Sequence, residues 1–443
     1  MTITTSGSRE RISLADLREA WPLLDPEDRV VGFRSLDPSD ADEFFLGLST
    51  RDQRDLIQNL PAGERRVWLR LLAPDDAADL LQSVPAAERD GLLALLDQAT
   101  RDDVRALLAY AEDEAGGLMS PRYVRVRPEM SADEAISYVR RQIHERPASV
   151  NYAYVLDNDQ VLLGVLSFRQ IFSMTPTQSV RDVMSAKPVT VHEETDQEEV
   201  ARLFAQHRFI AIPVIDGQGR MKGVLTADDI VKVVAEEATE DIQKMGGTNV
   251  LGAPYLEVSV LGMIRRRAGW LAVLFMGEML TATAMGYFED EIARAVVLAL
   301  FVPLVISSGG NSGSQATTLV IRAMALGEVR LRDWWRVIRR ELVSGLGLGI
   351  ILGTIGVIRI LVWQTLFHTY GSHAAVIATT VGLSLVGVVM WGTLGGSMLP
   401  FLLRRLGFDP ASASAPFVAT LVDVTGLIIY FTVAKWIMLD SFR

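Results

Sequence analysis

Residues 416 to 434, PFVATLVDVTGLIIYFTVA, form a nineteen-residue apolar run whose one charged residue, Asp423, lies near its middle. About 20 residues of helix cross the hydrocarbon core of a bilayer. A carboxylate at the centre of such a helix costs on the order of a few kcal/mol unless it faces protein, water or a cation. The run therefore reads as a membrane-spanning helix carrying a cation site in a membrane pathway. The alternative is an acid neutralised by a proton or by a partner helix. Ala419, Thr420, Thr425 and Gly426 are small, so another helix or a hydrated ion can come close.

Hydropathy divides the rest of the chain in two. Up to about residue 264 it is charged and interrupted by turn residues; beyond that it carries five long apolar stretches, at 268 to 288, 295 to 321, 342 to 367, 374 to 403 and 411 to 439. From 265 to 443 there are 15 Lys and Arg against 10 Asp and Glu, a net charge of +5, which leaves 28 against 44 and a net −16 for the part before it. So acidic a surface argues against nucleic acid as a partner and is suited to divalent cations, or simply to solubility. With no cysteine, disulfides, thiolate metal sites and cysteine nucleophiles are excluded. The first residues have no apolar segment of a secretory signal, so the first membrane helix is expected to direct targeting. Arginines cluster at 265 to 267, at Arg330, Arg332, Arg336, Arg339 and Arg340, and at Arg404 and Arg405. By the positive-inside rule these clusters face the cytoplasm, which puts the amino terminus inside and the carboxy terminus outside.

The second apolar stretch contains PLVISSGGNSGSQATT, at 303 to 318. Three glycines and a proline here predict a broken helix whose freed carbonyls, with Asn311 and Gln315, offer uncharged oxygen ligands; the alternative is a gap for close helix packing. Glu278, the sole acid of the first stretch, either attracts a cation or forms a packing pair.

In the soluble part, LDPSDADEFF at 36 to 45 returns as LAPDDAADLL at 72 to 81, and DLIQNLPAGER at 55 to 65 as DLLQSVPAAER at 79 to 89. Prolines and capping residues begin each segment, predicting a stack of about six short helices over residues 33 to 110. A second duplication, at 118 to 172 and 183 to 234, repeats the order strand, helix, strand, turn, strand and ends in GVLSF and GVLTADDI. It resembles a tandem pair of CBS domains. That resemblance implies an adenosine nucleotide site using a Ser or Thr with an Asp three residues on: Thr226 and Asp229 fit, whereas Ser167 is followed by Gln170. Tyr152 and Phe209 lie where adenine would stack or where a core aromatic would sit. From Asp228 a helical pattern runs to Gly246 and places Glu237, Glu240 and Asp241 on one face, where a divalent cation or solvent offsets their repulsion.

The order of parts, with GGNSG in the second span, ATLVDVTG in the fifth, and EDEAGGLM, DQEEVARL and AEEATEDI before them, resembles the MgtE family of magnesium channels over nearly the whole chain. The implied fold is a multidomain membrane protein. It has an all-α helical-repeat domain at 1 to 117, an α/β tandem CBS pair at 118 to 234, a connecting or plug helix at 235 to 264 and a five-helix transmembrane pore domain at 265 to 443. The implied function is Mg²⁺ uptake through a plasma-membrane homodimer, with Asp423 holding a hydrated ion and Ala419, Gly310, Asn311 and Glu278 as neighbours. Cytosolic Mg²⁺ on Asp196, Glu198, Asp229, Glu237, Glu240 and Asp241 would hold the plug helix against the pore, and ATP is the implied nucleotide. Lys232 and Arg208 stand at acidic sensor positions of the family, which implies closure at higher Mg²⁺.

Mg²⁺ dehydrates reluctantly and takes one or two carboxylates partly through its own waters, as a symmetric pair of Asp423 side chains would offer. Such a site discriminates poorly against Co²⁺ and Mn²⁺, so a broader divalent-cation transporter is the first alternative and a membrane-anchored adenylate sensor the second. No enzyme is expected. The nearest string to a zinc-protease HExxH is HEETD at 192 to 196, and no phosphate-binding GxxxxGK[ST] loop occurs.

Overall fold

The structure is a computed structural model that describes residues 12–145, 147–175, 178–256, 258–294 and 296–438. The chain forms two compact units, Met1–Val234 and Ala235–Arg443.

The first unit opens with eight α-helices: α1 (Leu14–Ala20), α2 (Pro26–Phe33), α3 (Pro38–Leu46), α4 (Thr50–Asn59), α5 (Ala62–Leu69), α6 (Pro74–Gln82), α7 (Ala86–Leu93) and α8 (Gln98–Leu107). Asp25, Ser49 and Asp97 cap α2, α4 and α8 by accepting from a backbone N–H. Six of the eight helices, α3 to α8, fall within 33 to 110, as the prolines and caps there predict, and the repeat is 24 residues long, because α2, α4, α6 and α8 begin at Pro26, Thr50, Pro74 and Gln98. The likeness of LDPSDADEFF to LAPDDAADLL pairs α3 with α6, out of phase, because both helices start on a proline with similar apolar spacing behind it. The 24-residue repeat extends to hydrogen bonds. Arg65 donates to the Leu60 and Gln58 carbonyls at 2.9 and 2.7 Å, and Arg89 donates to those of Val84 and Gln82 at 3.0 and 2.7 Å. Successive members of the even series pack on one another, α2 on α4, α4 on α6 and α6 on α8.

After the short α9 (Ala115–Leu118) come β1 (Arg125–Val126), α10 (Ala132–Gln142), β2 (Tyr152–Leu156), β3 (Leu162–Ser167), α11 (Phe168–Ser173) and α12 (Val180–Val183). Then follow β4 (Ser185–Ala186), β5 (Val191–His192), α13 (Gln197–His207), β6 (Ala211–Ile215), β7 (Met221–Thr226) and α14 (Ala227–Met245). The sheets run β1-β2-β3-β4 and β5-β6-β7, each with one parallel pair followed by an antiparallel hairpin, as the duplication predicts. The two CBS halves exchange edges. β4, from the start of the second half, pairs with β3 of the first, while Ser120 and Val224 exchange backbone hydrogen bonds at 2.8 and 2.9 Å. The second half shares one hydrophobic core with the helical domain, through Val200, Phe204, Ile212 and Leu225.

The second unit contains five helices long and apolar enough to cross a membrane. They are built on α15 (Val260–Tyr287), α18 (Val302–Ala325), α19 (Trp334–Phe367), α20 (Ala374–Arg405) and α21 (Ala415–Met438), with the short α16 (Glu289–Arg294) and α17 (Val296–Ala299) between the first two. The expected break in the second span does not occur. α18 is helical through all of 303–318, because Pro303 sits in its first turn, where no helical N–H is required. Its glycines serve close packing instead. A Cβ on Gly392 would fall 2.3 Å from the Gly309 carbonyl oxygen and one on Gly396 would fall 2.2 Å from that of Gly313, so α18 and α20 touch backbone to backbone. Thr317 bridges them, donating to the Gly396 carbonyl at 2.8 Å.

Candidate functional site

Asp423 sits halfway along α21, half-buried. Helices α18 and α15 pack against α21 on the turn before Asp423. A Cβ on Gly310 would lie 3.5 Å from Ala419 Cα, which brings α18 against α21 one turn from the acid. On α15, a Cβ on Gly277 would lie 2.9 Å from Thr420, so the adjoining Glu278 is carried by a helix packed against α21. Asn311 is exposed on α18 with its amide near the Ser307 hydroxyl at 3.4 Å. Thr425 accepts from the Trp391 indole at 2.8 Å, fixing the turn that follows Asp423. The Ala419 carbonyl has one lone pair engaged by the helix ladder and one to spare. Among the described residues no three His, Cys, Asp or Glu converge to hold a metal ion. One chain therefore offers Asp423, with Glu278 on the neighbouring α15, rather than a closed set of carboxylates, which fits an ion that keeps its water.

A second cluster lies where α14 meets the loop between α20 and α21. Met245, at the end of α14, packs against Ile321, Ala411 and Ala413. One residue earlier, Lys244 pairs with Glu240 and reaches Asp409 Oδ2 at 2.5 Å. Asp241 lies in the same group. Burial, then the charges of Asp409 and Glu237, pushes its carboxyl up to about 6. Gly247 turns the chain with φ +71, leaving room for Trp270, whose indole donates to Ser414 at 3.1 Å. Sequence reasoning found the acidic face of α14 and missed Lys244 and Asp409. These two are 165 positions apart, and only the fold makes them neighbours.

The remaining residues singled out from the sequence are distributed over the first unit. Asp196 caps α13 by accepting from Glu198 N–H at 2.9 Å, and Glu198 is exposed. Thr226 is buried and donates to Asp229 at 2.5 Å, while Ser167 donates to Gln170 at 2.8 Å. Both pairs therefore form the same cap at a helix start. Tyr152 packs with Tyr154 and Met221, whereas Phe209 stacks on His207 beside the core shared with the helical domain. Lys232 points at α6, with Nζ 3.2 Å from Asp76 Oδ1. Beside it, burial and the charges of Asp76 and Asp229 push Asp75 up to about 7. Arg208 ends α13 in the left-handed region, at φ 54.

The intracellular N domain model of the MgtE family matches residues 12–113, CBS models match 115–174 and 180–236, and the family's divalent cation transporter model matches 302–433. The magnesium transporter MgtE of Thermus thermophilus is 41% identical over 432 residues, covering 97% of this chain and 94% of the relative. The chain belongs to the MgtE family of magnesium transporters. The Bacillus subtilis MgtE is 30% identical over 435 residues, 95% of this chain and 94% of that protein. Among solved structures, the cytosolic domain of the Mg²⁺ channel MgtE in complex with ATP is 40% identical, with a TM-score of 0.47, over 51% of this chain and 92% of that one. Membership in MgtE makes this a multi-pass membrane transporter with the helical, CBS and five-helix parts described above.

Proposed function

We propose that the protein is a Mg²⁺ channel that admits the ion across the plasma membrane as a homodimer, with Asp423 as the selecting carboxylate and with cytosolic Mg²⁺ controlling opening. The observation that carries the reading is a single acid on an apolar helix, backed by glycine contacts and neighboured by uncharged oxygens and Glu278. A second copy would bring a second Asp423 to a hydrated ion, giving charge without stripping water. The arginine clusters, by the positive-inside rule, support a cytosolic position for the connecting helix.

Glu237, Glu240, Asp241 and Asp409 do not converge as they stand, with Lys244 between Glu240 and Asp409, and regulatory Mg²⁺ would act near the end of that helix by drawing them together. This donor set suits a hard cation, and by bridging acids it would favour the docked helix over the released one. Asp196, Glu198 and Asp229 would extend the same sensing through the CBS pair. Thr226, Tyr152 and Phe209 are the side chains toward which ATP would be sought.

The test is Mg²⁺ flux into proteoliposomes with and without a membrane potential. Asp423→Ala and Asp423→Asn should each reduce flux at least about ten-fold while the dimer stays intact, since both remove the charge and neither adds bulk. Wild-type flux from Asp423→Ala defeats the assignment. The family model's broader description, a divalent cation transporter, supports a second reading in which Co²⁺ and Mn²⁺ also pass, and the same assay with those ions decides it.

A further inference from the structure

Arg359 is the only charged residue of α19 after Glu341, and the ion pathway makes no use of it. It is exposed on a helix that leaves most of its surface outside the bundle. Its guanidinium stacks 3.7 Å over the Trp363 ring and donates to the Tyr370 hydroxyl at 3.3 Å. Both partners are neutral, and among the described residues no carboxylate forms a salt bridge with it. A lone cation on a membrane helix is costly unless it reaches the interface or meets an anion. Arg359 lies eight residues before the end of α19, about 12 Å along the helix. Trp363, an exposed ring beside it, is placed as an interfacial aromatic is, while Tyr370 is buried against Phe301.

Beside this arginine, α18, α19 and α20 leave a groove of about 440 Å³. Leu300, Leu304, Leu352, Ile355 and Leu385 line it, with Arg359 among them. Leu300, Leu304 and Ile355 are 70%, 45% and 58% exposed, so the groove opens away from the bundle core. Its walls are hydrocarbon and its charge is one guanidinium with donors to spare, a form that pairs bidentately with phosphate.

We propose that this groove binds one anionic phospholipid, with an acyl chain between α18, α19 and α20 and the headgroup phosphate on Arg359. The cation is thereby neutralised and the outer wall of α18, the helix that carries Gly310 and Asn311, is covered. This site is independent of the pore assignment, since its contacts involve neither Asp423 nor α21.

The experiment is native mass spectrometry of the full-length protein in a neutral detergent, titrated with phosphatidylglycerol or phosphatidylcholine of matched chains. The wild type should retain phosphatidylglycerol roughly ten-fold more tightly than phosphatidylcholine, the scale of one charge-assisted contact. Arg359→Gln should bring the two lipids level, and Arg359→Lys should recover part of the difference. Leu304→Trp, which fills the groove, should weaken both lipids. Size-exclusion profiles and melting temperatures in detergent establish that each variant is folded. Unchanged phosphatidylglycerol retention in Arg359→Gln overturns the proposal. So does competition by inorganic phosphate alone, which would mean an ion site rather than a lipid site. Loss of the dimer in Arg359→Gln with lipid retention unchanged would give the groove to a second copy and also overturn it.

Discussion

Replacing Lys244 by Met should loosen the end of the connecting helix when no Mg²⁺ is present. The Lys244 ammonium lies between Glu240 and Asp409, 2.5 Å from the latter, with side chains 28%, 35% and 36% exposed. Unit charges about 4 Å apart attract by about 1 kcal/mol in water and about 4 kcal/mol at a protein surface. Solvent screening and side-chain entropy bring each such pair down to about 1 kcal/mol. The Glu240 pair lies within α14 and survives release, so only the Lys244–Asp409 pair is lost from the junction, which costs about 1 kcal/mol, or roughly five-fold in the ratio of docked to released helix. Because the chain has no cysteine, spin labels at Thr239→Cys and Phe408→Cys report this junction alone. In EDTA the wild type should give one short distance, and Lys244→Met a broad, longer distribution that millimolar Mg²⁺ returns to the short one. Adding Asp409→Asn to Lys244→Met should restore docking without Mg²⁺, since it removes the repelling acid. A distribution in EDTA unchanged by Lys244→Met would refute the reasoning, because the ammonium would then not be what holds the helix.

The same labels test a pH dependence. Asp241 has its carboxyl raised from 3.8 to about 6 by burial and by Asp409 and Glu237, so the docked state binds the proton more tightly. Docking should strengthen as pH falls from about 6 toward the free value of 3.8 and stay level above 6, by about 1 kcal/mol after discounting for solvent, and Asp241→Asn should abolish the change. Gly396→Ala sets a Cβ 2.2 Å from the Gly313 carbonyl oxygen and should destabilise the bundle by about 1–3 kcal/mol, read as a lower melting temperature in detergent. Gly395→Ala, with nothing within 4 Å, should be neutral in the same melt. Lys232→Asp replaces the cation that meets Asp76 by an acid facing Asp76 and Asp229, so protease resistance of the soluble part should fall in EDTA and return with Mg²⁺. Protection as high in EDTA as in the wild type would mean that this ion pair does not hold the helical domain to the CBS pair.

Much of this protein was legible along the chain because the physics behind it is local. A bilayer sets how long an apolar run must be, so five spans and the cost of Asp423 follow from the order of residues. Alternating strands and capped helices gave the CBS halves, and spacing of three and four put Glu237, Glu240 and Asp241 on one face. Where two arrangements share one local signature, the sequence left the choice open. Glycines in a membrane helix either break it or let another backbone approach, and only α20, laid against Gly309 and Gly313, decides for approach. The sequence carries likenesses at both 36 residues (36–45 with 72–81) and 24 residues (55–65 with 79–89), and the stacking of α2, α4, α6 and α8 selects 24. Charges were counted correctly from the sequence but could not be paired. Lys244 meets Asp409, Lys232 meets Asp76, and Arg359 has a phenol for a partner because helices distant in sequence pack there. An electrostatic energy depends on the distance between two groups, and for groups far apart in sequence the tertiary structure alone fixes that distance.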